Sequence, residues 1–171
     1  MVLFSSGDKA VRNAMTDMLV KLYSLPQVAP LIEQQRTAGV DVRRAIAPEK
    51  HVLVDWVRQT WGAAWASECE VAFTREPVSC YVAIAAQQPI GFACYDTTCR
   101  NFFGPIGVLE AFRGQNIGQA LLLMCLHTMA EQGYAYAIIG GVGPIDFYAK
   151  TVGATVIEDS TPGVYRGMLR G

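Results

Sequence analysis

The chain has 171 residues, enough for one domain with a full hydrophobic core. Its 14 basic and 15 acidic residues leave a net charge of −1, so no basic field is present to attract nucleic acid. No apolar run reaches the roughly 18 residues of a membrane span. Charged residues make up only 17% of the chain, against about 25% in an ordinary domain, which favours a buried subunit interface such as that of a homodimer. We expect a small-molecule or peptide partner, with no nucleic acid and no membrane.

The cysteines and histidines argue against a metal site. No CxxC pair is present among the five cysteines, and the chain has two histidines, His51 and His127. The separation of Cys94 and Cys99 matches zinc-ligand spacing poorly. An odd number of cysteines indicates a reducing compartment. Because the N-terminal residues lack the basic flank and apolar run of a signal peptide, we expect a cytoplasmic protein without a metal.

The N-terminal residues carry a helical pattern. Apolar side chains recur at spacings of three and four from Val11 to Leu22, which predicts one amphipathic helix. A shorter helix over about 28–36 follows and ends before Gly39. We therefore predict an N-terminal helical extension, residues 1–38, on a core of residues 40–171. Periodicity does not decide whether this extension covers a substrate pocket or forms a dimer interface.

The first half of the core begins with one strand and two helices. The strand begins at Val40 and ends at Pro48. This proline suits the first turn of the next helix. That helix carries Trp56 and Trp61, and the following one carries Trp65 before it ends near residue 77. CYVAIAA and IGFACYD then read as an antiparallel hairpin, and NFFGPIGV as a third strand beside it.

The second half of the core contains a strand–helix–strand unit. The helix spans residues 116–132, and the apolar run YAYAIIG after it is typical of a central strand covered on both faces. A short helix at IDFYAKTV and a closing hairpin of ATVIED with VYRGML complete the prediction. The pattern as a whole indicates a single mixed α/β domain with seven strands.

The loop RGQNIG, directly before the helix of residues 116–132, has the properties of a phosphate site. A helix N-terminus presents unpaired N–H groups and a partial positive charge. Gly114 and Gly118 allow close approach, Asn116 tolerates a left-handed backbone, and Arg113 adds a fixed charge. The alternative is an ordinary glycine-containing turn between a strand and a helix.

Two other phosphate motifs do not match. A Walker loop requires Gly-Lys-Ser/Thr, which is absent, and the dinucleotide fingerprint GxGxxG is incomplete at Gly141–Gly143 because no glycine stands at its third position. A nucleotide-binding α/β protein is therefore a weaker alternative. Pro105, which cannot donate to a sheet ladder, lies within the strand before the loop. It predicts that this strand separates from its neighbour and leaves backbone groups free for an extended ligand.

The segment GPIGVLEAFRGQNIGQALLL resembles the acetyl-CoA site of the GNAT superfamily of N-acetyltransferases, whose signature is Arg/Gln-x-x-Gly-x-Gly/Ala after a strand that ends in valine. Downstream, FYAKTVGA resembles the Phe-Tyr-Glu-Lys-x-Gly-Phe segment of the same family. The resemblance covers about residues 40–170 and includes the order of elements. It implies a seven-stranded mixed sheet with a central parallel strand pair and helices on both faces.

The resemblance also implies roles for individual residues around acetyl-CoA. Tyr148 would lie near the sulfur and protonate the leaving thiolate, and a backbone N–H near Val108 would stabilise the oxyanion; the alternative for Tyr148 is a packing role. The residues implied in cofactor binding are Ile106, Gly107 and Val108 on the pantetheine arm, Arg113, Gly114, Gln115, Asn116, Ile117 and Gly118 around the pyrophosphate, and Phe147 beside the arm.

The sequence departs from the family pattern in three places. Asn116 replaces the middle glycine of the loop, one extra residue separates Tyr148 from Gly153, and Gly141 stands where many members carry an asparagine. The general base is not fixed by any motif. Glu110, just after the cofactor strand, is one candidate, and the others are Asp96, Glu68 or an ordered water.

The resemblance leaves two functional classes. The first is an enzyme that transfers an acetyl group from acetyl-CoA to a primary amine by direct attack in a ternary complex. The second is a non-catalytic module that binds or senses acyl-CoA. Trp61 and Trp65 lie in the helix pair that often walls the acceptor site of the family, although core packing is the alternative role for both.

Overall fold

A computed structural model describes residues 16–169 of the chain. The strands in this range are β1 Met18–Lys21, β2 Val40–Arg44, β3 Cys80–Ala85, β4 Gln88–Tyr95, β5 Phe102–Val108, β6 Tyr136–Ile139 and β7 Thr155–Val156. The helices are α1 Ala29–Thr37, α2 Lys50–Trp61, α3 Ala63–Ala72, α4 Ile117–Glu131 and α5 Ile145–Val152. Within residues 16–169 no helix has the length and apolar character to cross a membrane.

The strands form one seven-stranded sheet in the order β2-β3-β4-β5-β6-β1-β7. β5 and β6 are parallel, and every other neighbouring pair is antiparallel. α4 provides the crossover between the two parallel strands, as a βαβ unit requires. The mixed α/β fold with a central parallel pair, which the sequence predicts, is confirmed.

The two faces of the sheet bury separate hydrophobic clusters. Side chains alternate between faces along a strand, so Tyr81 and Ala83 of β3 pack on the α4 side, whereas Cys80 and Val82 pack on the side of α2 and α3. α4 is apolar around most of its circumference, with nine of its fifteen residues buried. The prediction of helices on both faces is therefore confirmed.

The predicted N-terminal helix over Val11–Leu22 is wrong in the part that the structure describes. Its residues before Thr16 lie outside that part, but Met18–Lys21 form strand β1, inserted antiparallel between β6 and β7. Met18 and Val20 are buried at 1% and 0% exposure, and this spacing of two is that of one face of a strand. As a strand, this segment pairs with the open edge of β6 and satisfies N–H and C=O groups of β6 that would stay unpaired if the segment were a helix. The shorter helix over 28–36 is confirmed as α1.

The predicted closing hairpin is also wrong. Only Thr155–Val156 of its first half is a strand, and it pairs with β1. The second half forms a short 3₁₀ turn at Gly163–Tyr165. Gly163 and Gly167 have φ of +57° and +73°, a left-handed conformation that interrupts an extended strand. The place of the seventh predicted strand is thus taken by β1.

Candidate functional site

The two parallel strands separate in the middle of the sheet. β5 and β6 pair at only two positions, Phe102 with Ile138 and Phe103 with Ile139. β6 then ends, while β5 continues for five residues with pairing to β4. The separation begins next to the proline of β5, at the place that the sequence predicts.

The free edge of β5 exposes a defined set of backbone groups. The N–H of Leu109 donates to the carbonyl of Ile90 at 2.9 Å, and alternate residues of a strand direct their polar groups to the same side. The backbone of Gly107 therefore faces β4, and those of Ile106 and Val108 face the gap. The carbonyl of Val108 accepts from Arg113 Nε at 3.3 Å. Of the three backbone positions implied from sequence, only Ile106 and Val108 offer groups to a ligand.

A groove of about 370 Å³ lies at the N-terminus of α4, beside this gap. Seven of the ten residues implied in cofactor binding line it: Val108, Arg113, Gly114, Asn116, Ile117, Gly118 and Phe147. The lining also includes three residues that the motif did not identify: Phe112, Gln119 and Thr151. The sequence pattern therefore located the groove but not its complete wall.

The loop before α4 has the backbone conformation expected of a phosphate-binding turn. Asn116 is left-handed, with φ 63° and ψ 10°, and Gly114 has φ +76°. The first helical bond runs from the N–H of Ala120 to the carbonyl of Asn116 at 3.0 Å. The N–H groups of the three residues before Ala120 therefore have no partner within the helix, and they point out of its N-terminus.

A buried glutamine fixes this loop from the opposite helix. Gln35 of α1 is 2% exposed, and its Nε2 donates to the carbonyl of Gln115 at 2.8 Å. Gln115 itself does not line the groove. The two residues are eighty positions apart, so no local pattern predicted the contact.

Gly118 brings the helix close to its neighbours at the floor of the groove. A Cβ at this position would lie 3.7 Å from Val108 Cγ2 and 3.8 Å from Phe147 Cζ. The side chain of Phe147 therefore packs beside the end of β5.

Tyr148 lies behind the groove in an apolar environment. It is 5% exposed, and its ring makes edge contacts with Phe103 and Phe147 at centroid distances of 6.4 and 5.0 Å. Burial raises the pKa of Tyr148 to about 12. Within residues 16–169 its hydroxyl makes no hydrogen bond to the protein. The phenol is therefore protonated at neutral pH and available to donate.

Two of the carboxylates suggested as general base lie away from the groove or are already paired. Glu110 is exposed on the 3₁₀ turn after β5 and does not line the groove. Asp96 is 4% exposed, and its oxygens accept from the N–H of Asn101 at 2.7 Å and the hydroxyl of Tyr134 at 2.8 Å. Through these contacts Asp96 stabilises the loop in which it lies.

Glu68 of α3 belongs to a polar cluster on the other side of the sheet. It is half-buried and accepts a hydrogen bond from Thr98 Oγ1. Burial raises the pKa of Glu68, against the opposing effect of that bond. Tyr165 also belongs to this cluster, and burial together with the Glu68 carboxylate raises its pKa to about 12. A Cβ on Gly140 would lie 2.5 Å from the Tyr165 hydroxyl, which places the cluster at the end of β6.

Trp61 and Trp65 form an aromatic wall on the same side of the sheet. Both are half-buried and contact the ring of Phe92 at 5.2 and 6.1 Å. A Cβ on Gly107 would lie 2.7 Å from two ring carbons of Trp61. Trp61 therefore covers the face of β5 opposite to α4, close to the gap.

Gly141 is held by the N-terminal segment. Its N–H donates to Asp17 Oδ1 at 2.9 Å, and Asp17 is 6% exposed. This bond occupies the backbone donor at the position where family members often carry an asparagine, so the structure uses it to support the loop before α5.

Three cysteines meet in the core between α3 and the sheet. The Sγ atoms of Cys69, Cys80 and Cys94 all lie within 4.8 Å of one another. Hydrogen bonds from Cys80 and Cys94 lower the pKa of Cys69, whereas the contact with Cys69 raises that of Cys80 and burial raises that of Cys94. The sequence, which lacks a CxxC motif, gave no indication of this cluster.

Solved structures with the same fold include several acetyltransferases. The chain aligns with the GCN5-related glucosamine N-acetyltransferase region of a fungal multi-domain GH3 β-N-acetylglucosaminidase at a TM-score of 0.67 and 14% identity, over 84% of this chain and 20% of that one. The GCN5-related N-acetyltransferase of Sphaerobacter thermophilus aligns at a TM-score of 0.60 and 16% identity, over 84% of this chain and 49% of that one. The GCN5-related N-acetyltransferase of Kribbella flavida aligns at a TM-score of 0.57 and 16% identity, over 83% of this chain and 54% of that one. The chain thus spans about half or less of the length of these proteins.

Comparison with curated protein sequences finds no match. The sequence profile of the acetyltransferase (GNAT) family matches residues 50–154, which is more than half of the chain and contains the split strands, the loop and α5. The chain therefore belongs to the acetyltransferase (GNAT) family.

Proposed function

We propose that this protein transfers an acetyl group from acetyl-CoA to a primary amine, by direct attack within a ternary complex. The observation that carries the proposal is the groove at the N-terminus of α4, which opens beside the gap between β5 and β6. It combines free helix N–H groups, the cation of Arg113 and unpaired backbone groups of β5. These are the donors that a pyrophosphate and an amide-containing arm require.

Different residues of the groove would bind different parts of the coenzyme. Arg113 and the first turn of α4 would hold the pyrophosphate, and the backbone of Ile106 would pair with the pantetheine amides, which leaves the N–H of Val108 for the thioester. Phe147 would cover the arm from the side of α5. The bound coenzyme supplies the acetyl group as an activated thioester.

Transfer requires that the amine be neutral, although an alkyl amine has a pKa of about 10.4 in water. We propose Glu68 as the carboxylate that receives the amine and its proton, because it is half-buried, lies on the face opposite to the groove and belongs with Thr98 and Tyr165 to the polar cluster at the end of β6. This replaces the proposal of Glu110, which is exposed and does not line the groove. The aromatic wall of Trp61 and Trp65 would cover the carbon skeleton of the amine.

Two further groups would act on the thioester. The N–H of Val108 faces the gap and would donate to the developing oxyanion, a contact typically worth about 2.7–4 kcal/mol. Tyr148 would donate a hydrogen bond to the leaving sulfur from the protonated phenol.

The first experiment is a thermal-shift assay with acetyl-CoA and CoA, with ATP and NAD as controls. A ligand at about 100 times its Kd stabilises by about 2.7 kcal/mol, which for a domain of this size raises Tm by roughly 5–10 °C. We expect this shift with both forms of CoA and with neither control. A shift with ATP or NAD alone would instead support the nucleotide-binding alternative.

Calorimetry on a matched pair of variants locates the binding site. Arg113→Ala removes the exposed cation that lines the groove, whereas Arg36→Ala removes an exposed cation paired with Glu33 on α1. We expect the first to weaken acetyl-CoA binding about tenfold or more, as for a charge-assisted bond, and the second to leave it unchanged. Equal affinities would refute the assignment of the groove.

Release of CoA in the presence of a panel of amines then separates an enzyme from a binding module. Amine-dependent release supports the transferase. Tight binding of acetyl-CoA without release for any amine supports the acyl-CoA-sensing alternative.

A further inference from the structure

The three clustered cysteines come from three different elements. Cys69 lies on α3, Cys80 on β3 and Cys94 on β4, and each is completely buried. Cys80 and Cys94 are directly opposite each other in the antiparallel pair. Because Tyr95 N–H donates to the carbonyl of Ser79 at 3.0 Å, the neighbouring Cys80–Cys94 pair is a non-hydrogen-bonded one, in which side chains approach most closely. α3 packs on this face and closes the triangle with Cys69.

The triangle has the size of a trigonal metal site. A metal–sulfur bond of about 2.3 Å places three sulfur atoms around one ion about 4.0 Å apart. All three Sγ atoms already lie within 4.8 Å of one another, so an ion at the centre requires each sulfur to move by less than about 1 Å. Rotation about the cysteine side-chain bonds provides a movement of this size.

The donor set selects the type of ion. All three ligands are sulfur, and the cluster that surrounds them is apolar, with Val82, Ala66 and Phe92 among its buried members. Thiolates favour soft cations, whereas magnesium, calcium and manganese require oxygen ligands. A dry core also provides no water as a fourth ligand, which favours ions that accept three-coordination.

We propose that Cys69, Cys80 and Cys94 form a three-thiolate site for one soft, thiophilic metal ion. Each ligand binds as a thiolate, so binding releases protons from the cysteines. The ion would join α3 to the β3–β4 hairpin. It would thereby hold the helix that carries Glu68 and Trp65, although the site itself does not depend on the proposed acetyl transfer.

Titration of the reduced full-length chain with Cd²⁺ tests the site. We expect one ion per chain in native mass spectrometry, with ultraviolet sulfur-to-metal charge-transfer absorption, and no retention of Mg²⁺. Cys69→Ala and Cys94→Ala should weaken Cd²⁺ binding at least 100-fold. Cys99→Ala is the matched control, because Cys99 is a free cysteine outside the cluster, and it should bind as the wild type does.

A measurement on the wild-type chain covers the case in which a cluster variant does not fold. X-ray absorption at the cadmium edge should count three sulfur neighbours and no oxygen or nitrogen. Fewer sulfurs, an oxygen or nitrogen ligand, no bound ion, or loss of binding in Cys99→Ala would each overturn the proposal. So would a reduced chain whose cluster variants fold and bind Cd²⁺ as tightly as the wild type.

Discussion

At the scale of single residues, the phenol of Tyr148 holds its proton more tightly than an ordinary tyrosine does. Its pKa of about 12 exceeds that of an alkyl thiol, about 8.5, by about 3.5 units, so full proton transfer to a thiolate would cost about 5 kcal/mol. Donation of a hydrogen bond requires no such transfer. We therefore infer that Tyr148 stabilises the leaving sulfur as a donor, and that the departing thiolate takes its proton from solvent.

Tyr148→Phe tests both the burial of this phenol and its role. The folded-state pKa of about 12 lies above the unfolded value of about 10. The phenol therefore stabilises the fold below pH 10, and this contribution is lost as the pH rises through 12. Urea titrations should show that the wild type loses about 1 kcal/mol more stability than the variant between pH 9 and 11.

The same variant has a kinetic outcome. Loss of one hydrogen bond to a charged group, about 1.5–3 kcal/mol, should lower kcat roughly 10- to 150-fold at neutral pH. An unchanged kcat would show that Tyr148 is a packing residue only, whereas identical alkaline slopes of stability would show that burial does not raise its pKa.

Glu68 and Glu70 lie on the same helix and provide a test of the carboxylate that is proposed to receive the proton of the amine. Glu68 is half-buried and bonded to Thr98, whereas Glu70 is exposed and paired with Lys50 at 2.9 Å. General-base catalysis typically contributes 10²–10⁴-fold, so Glu68→Gln should lower kcat about 100-fold or more. Glu70→Gln is expected to retain full turnover. Equal rates for both variants would leave water as the base.

Gly107 is restricted by the side chain that covers it. Alanine here would place Cβ 2.7 Å from two ring carbons of Trp61, and overpacking of this kind typically costs about 1–3 kcal/mol. Gly143→Ala is the control, since no atom lies within 4 Å of its Cβ position. Chemical denaturation should show the loss for the first variant alone, and equal stability would mean that the indole moves aside freely.

At the scale of elements, the N-terminus of α4 depends on the left-handed backbone of Asn116. A residue other than glycine or asparagine pays about 1–2 kcal/mol in this conformation, while glycine loses about 0.5–1 kcal/mol through greater chain entropy. Asn116→Ala should therefore be about 1 kcal/mol less stable than the wild type. Asn116→Gly should be close to the wild type in stability. Urea denaturation measures both, and an alanine variant as stable as the glycine variant would contradict the φ of 63°.

The separation of β5 from β6 is also a property of elements. Local sequence marks it through a proline, but the two sides of the gap acquire different chemistry from different helices. α4 and α5 build the groove, whereas α2 and α3 bring Trp61 and Glu68 to the other face. In the proposed transfer, the coenzyme and the amine would thus approach one opening from opposite faces of the sheet.

At the scale of the whole molecule, β1 completes the sheet between β6 and β7. Met18 faces the core at 1% exposure, while Leu19 on the other face is half-buried. Met18→Ala should cost about 2–5 kcal/mol and Leu19→Ala clearly less, as measured by thermal and urea denaturation. Comparable losses at both positions would contradict the alternation of a strand.

Assembly stays a prediction at this scale. The low proportion of charged residues favours a homodimer, and exposed apolar side chains such as Tyr23 and Val164, at 67% and 52% exposure, are consistent with one. Tyr23 packs edge-on against Tyr136 at 5.7 Å. Sedimentation of the full chain would determine the oligomeric state.

The sequence by itself determined the elements whose signals are local. Periodicity located α2, α4 and α5, short apolar runs beside a turn located β3 to β5, and the RGQNIG loop located most of the groove, because capping, turn chemistry and amphipathicity act over a few residues. The same logic failed at Met18–Lys21, where spacings of two and of three to four coexist, and pairing with β6 selected the strand.

Tertiary structure alone decided the contacts between distant parts of the chain. Gln35 meets Gln115, Asp17 meets Gly141, and Glu68 meets Thr98 across separations that no local pattern encodes. The cysteine cluster is the clearest case, since its ligands have no motif spacing and become neighbours only through strand register and helix packing. Local free energies choose the elements, but burial and satisfied hydrogen bonds choose which of them meet.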